Sequence, residues 1–271
     1  MDQKSISILG CGWLGEPLAR HLGSLGYKVK GSTTHPEKTF TLKQNGIEPF
    51  LLEVAPPLKG KQIKEFFQSE TLFLNIPFKR SLPDPSLYQK QIEAVIKETR
   101  SSPVSSVIFA SSTSVYPDNI GAAQEDAVLR SHDLRSKVLL DIERSLLSEK
   151  KFRSTILRFA GLVGGDRKIG QFLAEDKDVE NPEGPVNLVH LEDCVRVVSR
   201  VIEQGIGGEI FNVCADTHPT RREIYTKASM KLGLAPPQFK EMEARVKIVS
   251  NEKLKQRLNY KFLYPDPMAL I

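Results

Sequence analysis

Six residues near the N-terminus, Gly10-Cys11-Gly12-Trp13-Leu14-Gly15, restrict what this chain can fold into more than any other stretch. They follow at once on Ile6, Ile8 and Leu9, a buried-strand composition, and they open a helical pattern in which Leu14, Leu18, Leu22 and Leu25 mark one apolar face. A Gly-x-Gly-x-x-Gly between strand and helix has a physical reason at each glycine. Gly10 makes the tight turn, Gly12 leaves room for a pyrophosphate against the backbone, and Gly15 lets the helix pack closely on the sheet. The phosphate charge would meet free N–H groups and the positive end of the helix dipole. Pro17 fits the first helical turn, where a missing N–H costs nothing, and Gly26 ends the helix. Ser5 to Gly31 is therefore expected to form a strand, glycine turn, helix and second strand that hold a dinucleotide, with Trp13 and Leu14 beside the glycines.

The same alternation continues. Phe50 to Val54, Thr71 to Ile76, Ser106 to Ala110, Ser154 to Phe159 and Glu209 to Val213 read as strands. Between them, Gln62 to Phe67, Leu87 to Thr99, Arg135 to Ser148 and Asp193 to Glu203 read as helices. This is the α/β pattern of a doubly wound, mainly parallel sheet, which gathers its strand carboxyl ends on one ligand-binding edge. Asn75, Ile76 and Pro77 end one strand at that edge, and Ala110 and Ser111 end the next. Residues 166–185, after Gly161, Gly164 and Gly165, lack strong periodicity and read as an excursion over the sheet edge. Later, the capping box Thr220-x-x-Glu223 starts a helix that Gly233 stops, followed by a strand at Lys247 to Val249 and a helix at Glu252 to Leu258. The expected organisation is a Rossmann-type domain from 1–165 and 186–212, with a small substrate lobe from 166–185 and 213–271.

Composition removes several function classes. A hydrophobic content of 40% with mixed charge excludes a disordered chain, and 271 residues are enough for a real core. No run reaches the ~18 apolar residues of a membrane span, and the N-terminus lacks a signal peptide's apolar core, so we expect a cytoplasmic protein. The net charge of +5 is scattered among acids, which argues against nucleic acid and suits a small anionic ligand. Cys11, Cys194 and Cys214 are odd in number without Cys-x-x-Cys spacing, so neither disulfides nor a metal site is expected. Cys11 is read as a small loop filler. We expect a monomer or homodimer.

About 20 residues past the fingerprint, where an NAD site usually places an acid on the ribose 2′-OH, stand Ser32, Thr33, Thr34 and His35. Small hydroxyls with Lys30, His35 and Lys38 nearby suit a 2′-phosphate, so NADP is favoured, and Glu37 keeps NAD as the alternative. Ser111-Ser112-Thr113-Ser114-Val115-Tyr116, just past a strand, offers hydroxyls to a carbonyl or alcohol undergoing hydride transfer.

With its strand context, this last motif resembles that of the short-chain dehydrogenase/reductase superfamily, in the extended branch of NAD-dependent epimerases and dehydratases. Three further stretches agree: Ile156 to Gly164 looks like the branch's strand into the cofactor-facing loop, with Phe159, Ala160 and Gly161 at the cofactor; Asn187-x-x-His190-x-x-Asp193 and Phe211-Asn212-Val213 match in order. The resemblance covers nearly the whole chain. It implies that Ser112, four residues before Tyr116, is the catalytic hydroxyl, with Thr113 as fallback. It also implies a Tyr-x-x-x-Lys on a helix, where i and i+4 share a face and the lysine holds the ribose. The match here is Asp133-Leu134-Arg135-Ser136-Lys137, so Lys137 is kept and the tyrosine is replaced by Asp133. The chain is thus similar to an atypical member, an oxidoreductase or epimerase in which Tyr116 or Asp133 replaces the proton donor. A non-catalytic NADP-binding regulator or scaffold is the second reading. Asp193 is expected as a helix N-cap, His190 as a half-buried histidine and Arg158 as structural, while Arg167, Lys168, Arg221 and Arg222 are candidates for an anionic substrate. The small lobe leaves little protein to grip a whole nucleotide-sugar, so a smaller substrate is expected.

Overall fold

A computed structural model describes residues 4–79, 81–169 and 178–271. The chain opens with β1 (Ser5–Leu9), α1 (Gly15–Ser24), β2 (Lys28–Thr33), α2 (Lys38–Gln44), β3 (Glu48–Glu53), β4 (Lys59–Gly60), α3 (Ile63–Phe66) and β5 (Thr71–Leu74). It continues through α4 (Ser86–Arg100), β6 (Ser106–Ser112), β7 (Gly121–Ala123), α5 (Leu134–Leu147), β8 (Arg153–Phe159), β9 (Gly161–Val163), β10 (Val179–Glu180) and β11 (Leu188–His190). The remaining elements are α6 (Leu191–Glu203), β12 (Ile210–Val213), α7 (Arg221–Lys231), β13 (Phe239–Lys240), β14 (Lys247–Val249) and α8 (Glu252–Leu258).

Eight strands form one sheet in the order β12-β8-β6-β5-β1-β2-β3-β4. β1 pairs in parallel with β2 on one side and β5 on the other, in registers that set Ile8 beside Gly31 and beside Phe73. The short β4 runs antiparallel to β3. Because strand order reverses at β1, its carboxyl end is the switch point, where the two neighbouring connections diverge and leave a crevice. The glycine turn occupies that end. This is the Rossmann-type doubly wound α/β fold.

Hydrophobic patterning explains the layers. Ile6, Ile8 and Leu9 are buried on both faces of the central strand, as a parallel sheet covered by helices requires. α1 buries Leu18, Ala19 and Leu22. Leu25, expected on the same face, is 49% exposed because the helix stops at Ser24 and Leu25 lies beyond its last turn. β2 runs past the expected limit at Gly31, so Ser32 and Thr33 belong to the strand. Gly31 makes this possible: a Cβ there would lie 2.6 Å from the Cys11 sulfur and 2.7 Å from Ile47 Cγ2. Likewise Ser111 and Ser112 are the last residues of β6.

The chain divides into two compact units. The first comprises Met1–Ser111, Arg130–Leu157 and Val198–Ile210; the second comprises Ser112–Leu129, Arg158–Val197 and Phe211–Ile271. The second unit contains the parallel strand pairs β14/β7, β11/β9 and β10/β13. It has its own small core of Val163, Ile169, Ile224 and Ala228. Of the expected excursion at 166–185, residues 170–177 lie outside the described residues. Among the described residues no helix is long and apolar enough to cross a membrane, and no group of three or more His, Cys, Asp or Glu is arranged to hold a metal ion.

Candidate functional site

In the first unit the glycine turn is held from both flanking strands. The Gly10 amide donates to Ser32 Oγ at 2.9 Å, and the Cys11 amide donates to the Ser32 carbonyl at 2.8 Å. On the other side, Asn75 Nδ2 donates to the Gly10 carbonyl at 3.0 Å. Gly10 has φ +107°, and a Cβ there would sit 2.4 Å from the Asn75 carbonyl oxygen. At Gly15 a Cβ would sit 2.1 Å from the Gly10 carbonyl oxygen, so helix and turn touch through backbone alone. Gly12 differs from both. An added Cβ would meet nothing within 4 Å, which leaves open space directly over the backbone. No side chain caps α1, so its first N–H groups have no side-chain acceptor. A pyrophosphate fits these features: a glycine facing open space, and a helix N-terminus whose dipole favours an anion. Leu14 is buried and Trp13 half-buried beside the turn.

Cys11 is a filler. Burial pushes its thiol up to about 12, and the sulfur occupies the volume that a side chain at residue 31 would need. The bases expected near the end of β2 fare unequally. Lys30 is turned away, its buried ammonium donating to the carbonyls of Glu65 and Gln68. That corrects its expected role at a 2′-phosphate, because the ammonium is committed to the Glu65 and Gln68 carbonyls. His35 pairs with Glu37 at 3.2 Å, both exposed, and Thr33 Oγ1 accepts from the His35 amide at 3.1 Å. Lys38 is exposed at the start of α2. At the end of β5, the Ile76 carbonyl accepts from Tyr88, Pro77 is exposed, and Phe78 is stacked between the Tyr88 ring and the Arg135 guanidinium. At the end of β6, Ala110 is half-buried and Ser111 donates to the buried Glu143 carboxylate at 2.5 Å.

Asp133 and Lys137 lie at the start of α5. The Asp133 carboxylate accepts from the Ser136 amide at 2.6 Å, while Ser136 Oγ accepts from the Asp133 amide at 3.1 Å, a reciprocal capping box. These bonds, the Ser136 amide foremost, hold the carboxyl below its ordinary range, so at neutral pH Asp133 accepts a proton but does not donate one. Lys137 is exposed and pairs with Asp141 one turn later at 2.6 Å. Such i,i+4 pairs in water contribute only about 0.3–0.5 kcal/mol, so the ammonium can be exchanged to another acceptor.

In the second unit Ser112 is half-buried and its Oγ accepts from the Ser114 amide at 3.1 Å, capping the short 3-10 turn Thr113–Val115. Tyr116 is fully buried. Its hydroxyl accepts from Arg158 Nη1 at 2.8 Å and faces two acceptors, Asn212 Oδ1 at 2.9 Å and the Gln124 carbonyl at 3.1 Å. With one proton to give, the phenol serves one of these at a time, and burial raises its pKa despite the guanidinium beside it. It braces the loop after β6. Asn212 extends the brace by donating to the Ala123 and Ser250 carbonyls, and its amide donates to Glu125 at 2.7 Å.

The Asn187-x-x-His190-x-x-Asp193 segment is structural in its contacts. Asn187 binds β14 through the Lys247 carbonyl and the Val249 amide. His190 Nδ1 accepts from the Glu192 amide, its ring lies 3.9 Å from that of Tyr264, and burial lowers its pKa. Asp193, expected as an N-cap, lies instead inside the first turn of α6, which begins at Leu191. Its buried carboxylate receives the Tyr260 hydroxyl at 2.7 Å and the amides of Leu263 and Tyr264 at 2.8 and 3.0 Å. Sequence reading missed Tyr260 and this anchoring because the partners are some 70 residues apart. Arg222 pairs with both Glu183 and Glu241 at 2.6 Å. Phe159 and Ala160 are buried at the end of β8, and the Gly161 amide donates to the Asn187 carbonyl.

No family model matches the chain. It is 33% identical over 271 residues to "Protein YeeZ" of Escherichia coli strain K12, with 98% of each chain covered. Among solved structures it is similar to the ADP-L-glycero-D-manno-heptose-6-epimerase of Helicobacter pylori, with TM-score 0.78, 17% identity and coverage of 99% of this chain and 94% of that one. It is also similar to a short-chain dehydrogenase/reductase superfamily protein of Agrobacterium tumefaciens with bound NAD, with TM-score 0.77, 16% identity and coverage of 98% and 94%.

Proposed function

Since this chain belongs to the family of the Escherichia coli protein YeeZ, we propose that it is an atypical member of the short-chain dehydrogenase/reductase superfamily, whose fold it shares, that it binds NADP(H) and that it acts as an oxidoreductase or epimerase on a small anionic or sugar-like substrate. The observation that carries the reading is the glycine turn, with Gly12 facing open space beside a helix start that no side chain caps. NADP is preferred because the strand end that follows carries Ser32, Thr33 and Thr34 and no acid. Gly10, Gly12, Trp13, Leu14, Gly15, Ser32, Thr33, Asn75, Ile76, Pro77, Ala110, Ser111, Phe159, Ala160 and Gly161 make up the proposed cofactor contacts. When bound, nicotinamide supplies the hydride chemistry. Lys137 exchanges its exposed partner Asp141 for the ribose hydroxyls. Ser112 orients a substrate oxygen, and Asp133, ionised at neutral pH, is the base. Tyr116 is a positioning residue.

Calorimetry with NADPH and NADH tests the cofactor reading. NADPH is expected to bind more tightly, and Lys137→Ala is expected to weaken it by about 1.5–3 kcal/mol, the contribution of a charge-assisted hydrogen bond. Tighter binding of NADH would reverse the preference. An unchanged affinity in Lys137→Ala would remove the helix assignment.

The second reading, a non-catalytic NADP-binding regulator or scaffold, rests on Asp133, whose carboxylate is engaged as a helix cap. A substrate screen with Asp133→Asn separates the two. Loss of turnover with cofactor binding intact supports the enzyme, and absence of turnover from the unmodified protein across the screen supports the regulator.

A further inference from the structure

Between β5, which ends at Leu74, and α4, which begins at Ser86, residues 75–79 belong to no strand or helix, yet they are tied at both ends. The Asn75 amide donates to the Leu9 carbonyl at 3.0 Å and its side chain donates to the Gly10 carbonyl, so this end is joined to the glycine turn. The other end is joined to α5. Arg135, in the first turn of that helix, donates from Nη2 to the Phe78 carbonyl at 2.9 Å and from Nη1 to the Lys79 carbonyl at 3.2 Å. Its guanidinium also lies over the Phe78 ring, 3.8 Å from the centroid.

The other face of that ring is occupied as well. The buried Tyr88 ring stacks on Phe78 with centroids 4.4 Å apart and 7° between planes, and its hydroxyl donates to the Ile76 carbonyl at 2.9 Å. Pro77, between these contacts, has its φ fixed by its own ring. The segment is therefore a strut with the glycine turn at one end and α5 at the other, and all of it lies within the first unit. Only arginine suits the α5 end: a planar guanidinium stacks on an aromatic face while its fork donates to separate acceptors, whereas an ammonium is a single point charge.

Arg135 stands two residues before Lys137. Side chains so spaced on a helix point about 200° apart, so Arg135 holds the strut without occupying the face that carries Lys137. We propose that Arg135 is a positioning residue for the cofactor site: by clamping residues 78 and 79 it sets the start of α5, and with it Lys137, at a fixed interval from the glycine turn. This rests on the NADP(H) reading above. A cofactor held at its pyrophosphate by the turn and at its nicotinamide ribose by Lys137 has to span that interval, so its affinity depends on the interval being kept.

The test is calorimetry on the full chain with NADPH and with adenosine 2′,5′-bisphosphate, which lacks the nicotinamide ribose. Arg135→Ala is expected to weaken NADPH ~3- to 10-fold and to leave the bisphosphate unchanged, whereas a merely structural role would weaken both. In a Lys137→Ala background the same substitution is expected to cost NADPH less than about twofold, since the residue through which it acts is gone. Phe78→Leu is expected to reproduce the loss and Phe78→Tyr, which keeps a ring face for the guanidinium, to retain full affinity, while Arg135→Lys does not restore it. At saturating NADPH, the emission of the reduced nicotinamide is expected to move toward that of the free cofactor in Arg135→Ala. Thermal melts check folding, and Phe78→Leu carries the same comparison if Arg135→Ala does not fold. Equal loss for both ligands, additive losses in the double variant, or full NADPH affinity in Arg135→Ala overturns the proposal and leaves the cofactor reading standing. Binding of neither ligand by the unmodified chain overturns the cofactor reading, and the proposal with it.

Discussion

Gly10 and Gly12 are separated by one residue, yet substitution at each acts through different physics. At Gly12 an added side chain meets nothing of the protein within 4 Å, so Gly12→Val is expected to change stability by less than ~1 kcal/mol while abolishing cofactor binding. At Gly10 the same change must overcome both a φ of +107° and the Asn75 carbonyl, and Gly10→Ala is expected to cost about 1–3 kcal/mol. Urea denaturation with calorimetry on both variants checks the contrast. Asp133 supplies a pH test. Its folded pKa lies below the ordinary carboxylate value, so its charge adds stability above about pH 4 that is lost as pH falls through the folded value. Asparagine caps a helix about as well as aspartate, so Asp133→Asn isolates the charge, whereas Asp133→Ala removes the cap at a cost of about 1 kcal/mol. The advantage of the unmodified chain over Asp133→Asn is expected to be constant from pH 7 to about 5 and to be lost progressively as pH falls through the folded value. An advantage that grows on acidification would contradict the cap geometry.

Among the elements, α6 and the C-terminal segment are joined by one carboxylate. Asp193 is buried and accepts from a phenol and two backbone amides. Its ionised form is matched to three donors, and Asp193→Asn would replace one acceptor oxygen with an NH₂ that faces them. The expected cost is about 2–3 kcal/mol, more than a neutral hydrogen bond because the acceptor is charged. Denaturant melts would register it. Hydrogen exchange is expected to localise the loss to the amides of Leu263 and Tyr264. Tyr116 works similarly for the loop after β6, joining Arg158, Asn212 and the Gln124 backbone.

For the molecule as a whole, the dinucleotide reading makes stability depend on ligand. A cofactor that binds only the folded chain, at a hundred times its dissociation constant, adds about 2.7 kcal/mol. Thermal unfolding should therefore shift upward with NADPH, less with NADH at equal concentration, and not at all in Gly12→Val. A shift that survives in Gly12→Val would place the nucleotide elsewhere.

How much of this was legible beforehand follows from the range of the forces involved. The strand-turn-helix-strand unit could be read from residues 5–31 because it is local: apolar period, glycine spacing and Pro17 act within a few residues of one another. The same holds for the Thr220-x-x-Glu223 box and for α4, α5 and α7, whose helical patterns lie within single stretches. β2 continues to Thr33, and at Gly31 the missing side chain leaves room for the Cys11 sulfur, a contact that no local pattern contains. Lys30 looked available to a phosphate until folding turned its ammonium onto the carbonyls of Glu65 and Gln68, in α3 and two residues beyond it. Asp193 and Tyr116 were read by motif position, but their partners lie 67 to 71 and 8 to 96 residues away in the chain. Residue types and spacing thus determined the elements and the glycine turn, where the interactions are between neighbours. Only the tertiary structure decided which polar side chains are occupied, because burying a charge or hydroxyl demands a partner, and that partner comes from wherever the chain returns.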